Sequence, residues 1–344
     1  MTDTMHTTIY REAGRCGGWP ANNGAWQWGD ELLVGFNSAE HRVKPVKCHQ
    51  VRQTGQWSML ARSLDGGETW SVDRAAQLEN RDATELVEPM DFACPDFAMT
   101  LRMTSHQTGP SVLFCSHDRG RNWTGPWKFP TFGETGIMAR TDYLLLGPRR
   151  AIVFLTAPKR DGREGRPLCA ITDDGGLTWN LRGWIGDEPG YFRIMPSSLR
   201  LADGRLLTAV RDKRGPPGSR ISFYESRDEG RIWSSAGHLM LDDSEFSTPP
   251  DLLHLPDGRL CVVFGDRREP YNLRATFAED IPSDWPQRRV LRGGAACWDF
   301  GYSRSFVRSD GMVVSVYYWC ETEHGERTIE GTIWNPSELA MEET

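Results

Sequence analysis

The sequence predicts an all-β fold of repeated antiparallel sheets, and three observations lead to that prediction. A motif of the form Ser/Thr-x-Asp-x-Gly-x-x-Trp, which we call the Asp box, occurs four times, with aspartates at 65, 118, 174 and 228. A short run rich in apolar, β-branched and aromatic residues precedes each copy, as expected for a strand. Glycine and proline, at 35 and 21 residues, are scattered along the chain, as in a fold with many turns.

The spacing of the Asp boxes predicts the kind of all-β fold. Successive copies lie 53, 56 and 54 residues apart, and a degenerate fifth copy at Asp280 and Trp285 continues the series. A repeat of roughly 50 residues is typical of propeller blades. The length of 344 residues accommodates six blades, and no linker or low-complexity stretch divides it. We therefore expect residues 1–344 to form a single six-bladed β-propeller of four-stranded antiparallel sheets, closed by a strand at 327–334.

The residue types of the Asp box predict a hairpin turn rather than a reactive group. Aspartate hydrogen-bonds the backbone of its own turn, and glycine supplies the positive φ angle that such a turn requires. The tryptophan then covers apolar area between neighbouring sheets. The chemistry is therefore expected elsewhere, where the inner strands of the blades meet the central channel.

Charge and hydropathy exclude several classes of protein. The net charge of −7 argues against a general nucleic-acid or membrane surface. No apolar run approaches the roughly 18 residues of a membrane span. The first residues, "MTDTMHTTIYREAG", lack the apolar core of a signal peptide, so we expect a cytoplasmic location. The sequence does not predict an oligomeric state.

The cysteines give no sign of a disulfide framework or a metal centre. There are eight, without a Cys-x-x-Cys pair, and several lie in apolar strand-like runs. Such residues are typically buried free thiols. We therefore expect neither a metal nor another cofactor.

Arginines inside strand-like segments are the first candidates for a binding site. Arg211 follows the apolar run of "GRLLTAVR", Arg274 lies in "YNLRATF", and Arg15 lies in a Gly-rich N-terminal stretch. Burying an unpaired charge is costly, so such arginines need partners. Three guanidinium groups that converge on the propeller axis would suit a carboxylate ligand. The alternative is a set of salt bridges on the blade surfaces.

Together with these arginines, the Asp boxes make the chain resemble the sialidase superfamily, whose six-bladed propellers bind a sugar carboxylate through three arginines. Arg15, shortly before "CGGWP", is similar to the first of these. Arg211 in "DGRLLTAVR" is similar to the second, and Arg274, ahead of the degenerate Asp box, is similar to the third. "GYSRSFVRSDGMVVSVYY" is similar to the segment that carries the sialidase nucleophile, which falls on Tyr302. The resemblance implies that Tyr302 attacks or stabilises the anomeric carbon.

The chain departs from the sialidase pattern at two positions. The glutamate that assists the tyrosine in sialidases falls at or near Met195, which cannot act as a base. The loop that carries their acid/base aspartate contains Glu40, His41 and His49 here, but no aspartate. Of these we expect His49 to be the proton donor, because histidine ordinarily titrates at about pH 6.5 and this one enters a strand. Asp299, three residues before Tyr302, is the candidate replacement for the missing glutamate.

Two further residues complete the candidate set. Arg140 in "MARTDYLLL" and Asp96 in "PDFAMTLR" are charged residues beside apolar runs, and we consider both as substrate-binding residues. Each is also a typical strand-edge or turn residue.

Three functions remain open on the sequence. The first is a sialidase-like exo-glycoside hydrolase that acts on an acidic oligosaccharide or glycan containing sialic acid or a uronate. The second is a polysaccharide or oligosaccharide lyase, in which His41 or His49 removes a proton beside the uronate carboxylate and Tyr302 protonates the leaving oxygen. The third is a non-catalytic carbohydrate-binding propeller, since decay of an enzyme would also remove its catalytic carboxylates.

Overall fold

The computed structural model describes residues 4–44, 48–105, 107–213, 218–241, 248–281, 285 and 288–341. The chain forms two compact units, which we call unit 1 (Met1–Ala76 and Phe246–Thr344) and unit 2 (Gln77–Glu245). That the whole chain is one domain stays a prediction. None of the described helices is long and apolar enough to cross a membrane.

Strands dominate both units. The N-terminal part of unit 1 contains β1 (Met5–Tyr10), β2 (Arg15–Gly18), β3 (Ala25–Trp28), β4 (Glu31–Glu40), β5 (Trp57–Ser63) and β6 (Ser71–Arg74). Unit 2 contains β7 (Ala98–Met103), β8 (Ser111–Ser116), β9 (Thr124–Lys128), β10 (Met138–Gly147), β11 (Arg150–Pro158), β12 (Glu164–Thr172), β13 (Asn180–Trp184), β14 (Phe192–Arg200), β15 (Leu206–Lys213), β16 (Arg220–Ser226) and β17 (Ser234–Met240). The C-terminal part of unit 1 contains β18 (Asp251–His254), β19 (Leu260–Asp266), β20 (Tyr271–Ala278), β21 (Arg289–Ala295), β22 (Gly301–Val307), β23 (Val313–Cys320) and β24 (Arg327–Trp334). The helical segments are short: α1 (Pro20–Asn23), α2 (Pro336–Met341) and a 3-10 turn (Ala76–Glu79).

The strands form antiparallel sheets, mostly in sequence order. In unit 1 the orders are β2-β4-β5-β6, with β3 also on β4, then β18-β19-β20-β21, and β22-β23-β24-β1. In unit 2, β14-β15-β16-β17 form one sheet, and β10-β11-β12-β13 are joined to β7-β8-β9 through the single pair Arg140 and Arg102. The predicted all-β class with four-stranded antiparallel sheets is therefore confirmed, while the count of six blades stays a prediction.

The two ends of the chain meet in one sheet of unit 1. Strand β1 pairs with β24, with Met5 opposite Ile333 and Thr8 opposite Glu330. On its other edge β24 pairs with β23. The prediction that residues 327–334 supply the closing strand is confirmed.

The four Asp boxes are hairpin turns that join the last two strands of their sheets. In the copy after β8, the Ser116 hydroxyl donates to Asp118 at 2.7 Å, and the Gly120 amide donates to the Ser116 hydroxyl at 2.8 Å. The same two bonds recur in the copies after β5, β12 and β16. These carboxylates bind their own turns, as the sequence predicted. The degenerate copy at 278–285 lies partly outside the described residues.

A continuous apolar core fixes the sheet that carries the candidate nucleophile. In unit 1, Val263 and Leu273 from the β18-β21 sheet pack in one buried cluster with Tyr317, Trp319 and Trp334 from the β22-β24 sheet. Burial of such large side chains dominates sheet packing. The start of β22 is thereby held in a defined position.

Candidate active site

The first strand of the C-terminal sheet begins with a strained tyrosine. Tyr302 has a φ angle of 54°, and the register with β23 slips between Gly301 and Arg304. Met195 in unit 2 has a φ of 59° at a similar slip near the start of β14. A left-handed conformation at a non-glycine residue costs about 1–3 kcal/mol and is concentrated at functional sites. Tyr302 is therefore a candidate functional residue on backbone geometry as well as on motif.

An arginine that the sequence analysis did not select lies against Tyr302. The Arg267 guanidinium lies 5.7 Å from the centre of the Tyr302 ring and 5.0 Å from that of Trp298. Its Nη2 donates to the Phe300 carbonyl at 2.9 Å and to the Tyr318 hydroxyl at 3.1 Å. Arg267 is only 7% exposed, and its Nε has no hydrogen-bond partner among the described residues. A buried guanidinium held by neutral groups can accept an anionic ligand.

His49 is held by a buried carboxylate. Its Nδ1 lies 2.7 Å from Asp299 Oδ1, and the two side chains are 31% and 3% exposed. Asp299 also accepts a 2.7 Å hydrogen bond from the Tyr318 hydroxyl, and Arg327 Nε lies 3.5 Å from its other oxygen. Burial raises the pKa of Asp299, but His49, Arg327 and Tyr318 outweigh burial and lower it to about 2.

The ionised Asp299 determines what the imidazole can do. Since a carboxylate only accepts hydrogen bonds, Nδ1 of His49 is the donor, and Nε2 is left for proton exchange. The ring centres of Trp19 and Trp298 lie 5.1 and 5.7 Å from the centre of the imidazole ring. The two indoles therefore restrict rotation of the imidazole. This is the arrangement of a general acid/base with an orienting carboxylate.

His49 and Tyr302 belong to one group of side chains in unit 1. Asp299 joins His49 to Tyr318, and the Tyr318 ring lies 5.7 Å from the Tyr302 ring in an edge contact. We call His49, Asp299, Tyr318, Tyr302 and Arg267 the His–Tyr cluster. Antiparallel pairing explains how it forms, because β22 starts where β23 ends, with Gly301 opposite Tyr318.

A cavity of about 370 Å³ lies beside the chain neighbours of the His–Tyr cluster, although none of the five cluster residues lines it. Its lining includes Cys48 and Gln50, which flank His49, and Trp298, which contacts it. Cys297 and Arg327 line another part of it. The volume falls in the range of small-molecule sites, and the mixture of aromatic and polar groups is typical of them.

The other candidates for proton transfer and binding have protein partners of their own. Glu40 is exposed and forms a 3.2 Å ion pair with the equally exposed Arg52. In unit 2, Asp96 pairs with Arg119 of an Asp-box turn at 2.6 Å. Arg140 forms a buried bidentate pair with Glu164. These contacts favour structural roles for all three residues.

The three arginines selected from the sequence lie in different surroundings. Arg274 pairs with Asp266 at 2.9 Å, and the Arg15 guanidinium lies 3.5 Å from the centre of the Trp57 ring. Arg211 is buried in unit 2, where its Nη1 lies 4.0 Å from Met195 Sδ. That these three bind one carboxylate stays a prediction. Within unit 1 Arg267 lies against Tyr302, whereas Arg274 shares the carboxylate of Asp266 with Arg268.

The sequence does contain a signal for Arg267. The segment "DGRLCVVFGDRR" around it repeats "DGRLLTAVRDKR" around Arg211, and Arg267 takes the place of Lys213. In both segments a strand ends just before or within the basic run, with β15 ending at Lys213 and β19 at Asp266. The basic run that follows the apolar strand in both segments, rather than distance to the next Asp box, is the sequence feature that points to Arg267.

The low pKa of Asp299 predicts a pH dependence of stability. An aspartate titrates at about pH 3.9 in an unfolded chain, and in the fold Asp299 titrates at about 2. Its ionised form therefore stabilises the fold above about pH 4, and this contribution is lost as the pH falls from 4 towards 2. We expect urea unfolding of Asp299→Asn to show a shallower loss of stability between pH 4 and 2 than the parent protein. The exposed Asp73→Asn is the control, and parallel curves for Asp299→Asn and the parent would contradict the prediction.

Fold and site together define an all-β protein of repeated sheets with a buried Tyr, His and Arg cluster. The BNR repeat-like domain matches residues 97–314, and the chain belongs to this family. No curated protein matches the chain.

Solved structures show the same fold at low sequence identity. A Dyadobacter fermentans protein of unknown function is 18% identical over 97% of this chain and 98% of its own, with a TM-score of 0.74. Trypanosoma rangeli sialidase in complex with sialic acid is 13% identical with a TM-score of 0.66, over 99% of this chain but 60% of its own length. An α-L-arabinofuranosidase from Fusarium graminearum is 14% identical over 95% of this chain and 98% of its own, with a TM-score of 0.64. The chain thus has the fold of this sialidase and of this arabinofuranosidase. It spans about 60% of the length of the sialidase.

Proposed function

We propose that the protein is a glycoside hydrolase that cleaves a terminal carboxylated sugar, sialic acid or a uronate, from an acidic oligosaccharide. The observation that carries this proposal is the hydrogen bond between His49 and the buried Asp299, in a cluster that also holds Tyr302 and Arg267. These residues supply an acid/base, a nucleophile and a cation. The sialidase and arabinofuranosidase folds among the similar structures support the same class of reaction.

Each residue has a role in the proposed reaction. Arg267 binds the sugar carboxylate through the guanidinium that lies against Tyr302. Tyr302 attacks the anomeric carbon as the bond to the leaving oxygen breaks, and it gives up its phenol proton to solvent, which returns it when water displaces the tyrosine. A carboxylate nucleophile would be repelled there by the carboxylate of the substrate. His49 donates the proton on Nε2 to the leaving oxygen and then takes a proton from the attacking water. Asp299 stabilises the imidazolium that donates the first proton and that the second proton transfer regenerates.

The lyase is the second candidate, and the acid/base itself favours it. A histidine stands where sialidases carry a loop aspartate, and Met195 stands where they carry a glutamate. In this reaction an arginine neutralises a uronate carboxylate, Nε2 of His49 removes the proton from the adjacent carbon, and Tyr302 protonates the leaving oxygen. No water is consumed.

One experiment separates these functions. Sialyl and uronyl oligosaccharides are incubated with the protein in water labelled with heavy oxygen, and the products are followed by mass spectrometry and near-ultraviolet absorbance. We expect a free acidic sugar that carries one labelled oxygen. An unlabelled, unsaturated product that absorbs in the near ultraviolet would establish the lyase. Binding of the oligosaccharides without any turnover would establish a carbohydrate-binding protein.

A further inference from the structure

Two thiols meet beside the His–Tyr cluster. Cys320 ends β23, and Cys297 lies four residues before the start of β22. The Ala296 amide donates to the Cys320 carbonyl at 2.8 Å, which brings the two segments together. The two thiols are close enough to interact electrostatically, the Cys320 sulfur also lies 3.3 Å from the Thr322 carbonyl oxygen, and both are free cysteines.

The surroundings of Cys297 favour its thiolate. Arg327 Nη2 lies 3.2 Å from the sulfur, and the Asp299 amide donates to it at 3.4 Å. The interaction with Cys320 lowers the pKa of Cys297, burial opposes this, and Arg327 and the Asp299 amide lower it further. The opposite holds for Cys169, where burial raises the pKa to about 12.

Cys297 also has a route for small reagents. It lines the 370 Å³ cavity together with Cys48, although the residue as a whole is only 6% exposed. A thiol that combines a cationic neighbour, a backbone N–H donor and access from a cavity is typical of reactive cysteines, whereas thiols buried in apolar surroundings are inert.

We propose that Cys297 and Cys320 are a redox-active pair that a hydroperoxide oxidises to a disulfide. The Cys297 sulfur attacks the distal oxygen of the peroxide, the O–O bond breaks, and the products are a sulfenic acid and water or an alcohol. The Cys320 sulfur then attacks the sulfenic sulfur, an S–S bond forms, and a second molecule of water leaves. The two thiols supply the two electrons that reduce the peroxide, and a dithiol reductant reverses the change.

Oxidation acts on the carboxylate that holds His49. Arg327 touches both groups, with Nη2 on the Cys297 sulfur and Nε 3.5 Å from Asp299. The disulfide removes the thiolate that accepts from Arg327 and from the Asp299 amide, so both groups lose a partner. If the proposed function holds, oxidation should also lower catalytic turnover. Formation of the disulfide does not depend on the proposed function.

The test is the chemical state of each cysteine after exposure of the full-length protein to hydrogen peroxide. Non-reducing peptide mapping by mass spectrometry should find Cys297 linked to Cys320, and a dithiol should restore both thiols. In Cys320→Ser, a dimedone probe should label a sulfenic acid at Cys297. Cys48→Ser is the matched control, because Cys48 lines the same cavity; it should leave the disulfide unchanged.

Rates give a second criterion. In the untreated protein, a small alkylating reagent should modify Cys297 at least about tenfold faster than the buried Cys169. Peroxide doses that oxidise Cys48 but leave Cys297 and Cys320 reduced would overturn the proposal, as would a disulfide with any other cysteine. If the disulfide forms in a protein that cleaves no acidic oligosaccharide, the redox pair stands and the proposed hydrolase fails.

Discussion

His49→Ala should lower the turnover of an unactivated acidic oligosaccharide by about 10²–10⁴-fold, the contribution of a positioned general acid. An aryl glycoside of the same sugar should be affected far less, because its phenol leaves without a proton. Asp299→Asn should lower the turnover of the oligosaccharide as well, since an amide does not stabilise an imidazolium as a carboxylate does. Steady-state kinetics of both variants on both substrates provide the measurement.

The control for this prediction is another histidine of unit 1. His254 is exposed at the end of β18, and His254→Ala should leave both substrates unaffected. Equal losses on the oligosaccharide and the aryl glycoside in His49→Ala would remove His49 as the proton donor. Unchanged turnover of both substrates would exclude it from the reaction altogether.

Arg267→Lys should raise KM for a carboxylated substrate by about 10–100-fold, because hydrogen bonds to charged groups contribute about 1.5–3 kcal/mol and lysine cannot bind a carboxylate in the bidentate geometry of arginine. Lysine keeps the positive charge and most of the length of the side chain, so the fold should persist. The same substitution should leave the weak binding of a substrate methyl ester almost unchanged, since the ester has no charge to pair. Steady-state kinetics with the acid and with its ester test both expectations.

Arg268 provides the matched control for Arg267. It is the next residue along the chain, and it pairs with Asp266 through two hydrogen bonds at 3.0 and 2.9 Å. Arg268→Lys should therefore bind the acidic sugar as the parent protein does. If Arg267→Lys bound the acid and the ester with unchanged affinities, Arg267 would not be the carboxylate anchor.

The repeat could be predicted, and Tyr302 could be selected as a candidate, because their signals are local. An Asp box fixes a hairpin within eight residues, and Tyr302 lies in a segment whose motif is contiguous in the sequence. The preference for His49 over Glu40 rested on the expectation that His49 enters a strand and Glu40 lies in a loop. That expectation is wrong, because Glu40 ends β4 and His49 lies outside the strands, before β5 begins at Trp57. The structure supports that preference, since His49 has a buried partner and Glu40 has an exposed one.

The partners of these residues could not be predicted because they depend on strand pairing over long distances. Asp299 is separated from His49 by 250 residues, and Tyr318 reaches it only because the end of β23 lies opposite the start of β22. Arg267 directly follows β19 and Arg327 begins β24, each beside a polar stretch that looks solvent-exposed in the sequence, yet both are buried. Burial of a charged residue follows from the fold, and composition does not reveal it.

The pairing of β1 with β24 has a consequence for biosynthesis. His6 and Thr332, which hydrogen-bond across these strands, are 326 residues apart. On the ribosome β1 is made before β24, and all the residues between them must be made before the two strands can pair. Contacts between such distant residues form slowly, and an unpaired strand in the meantime is a template for association with other chains. Unit 1 can complete its sheet only after unit 2 has been synthesised, so the nascent protein depends on protection of its N-terminal strand.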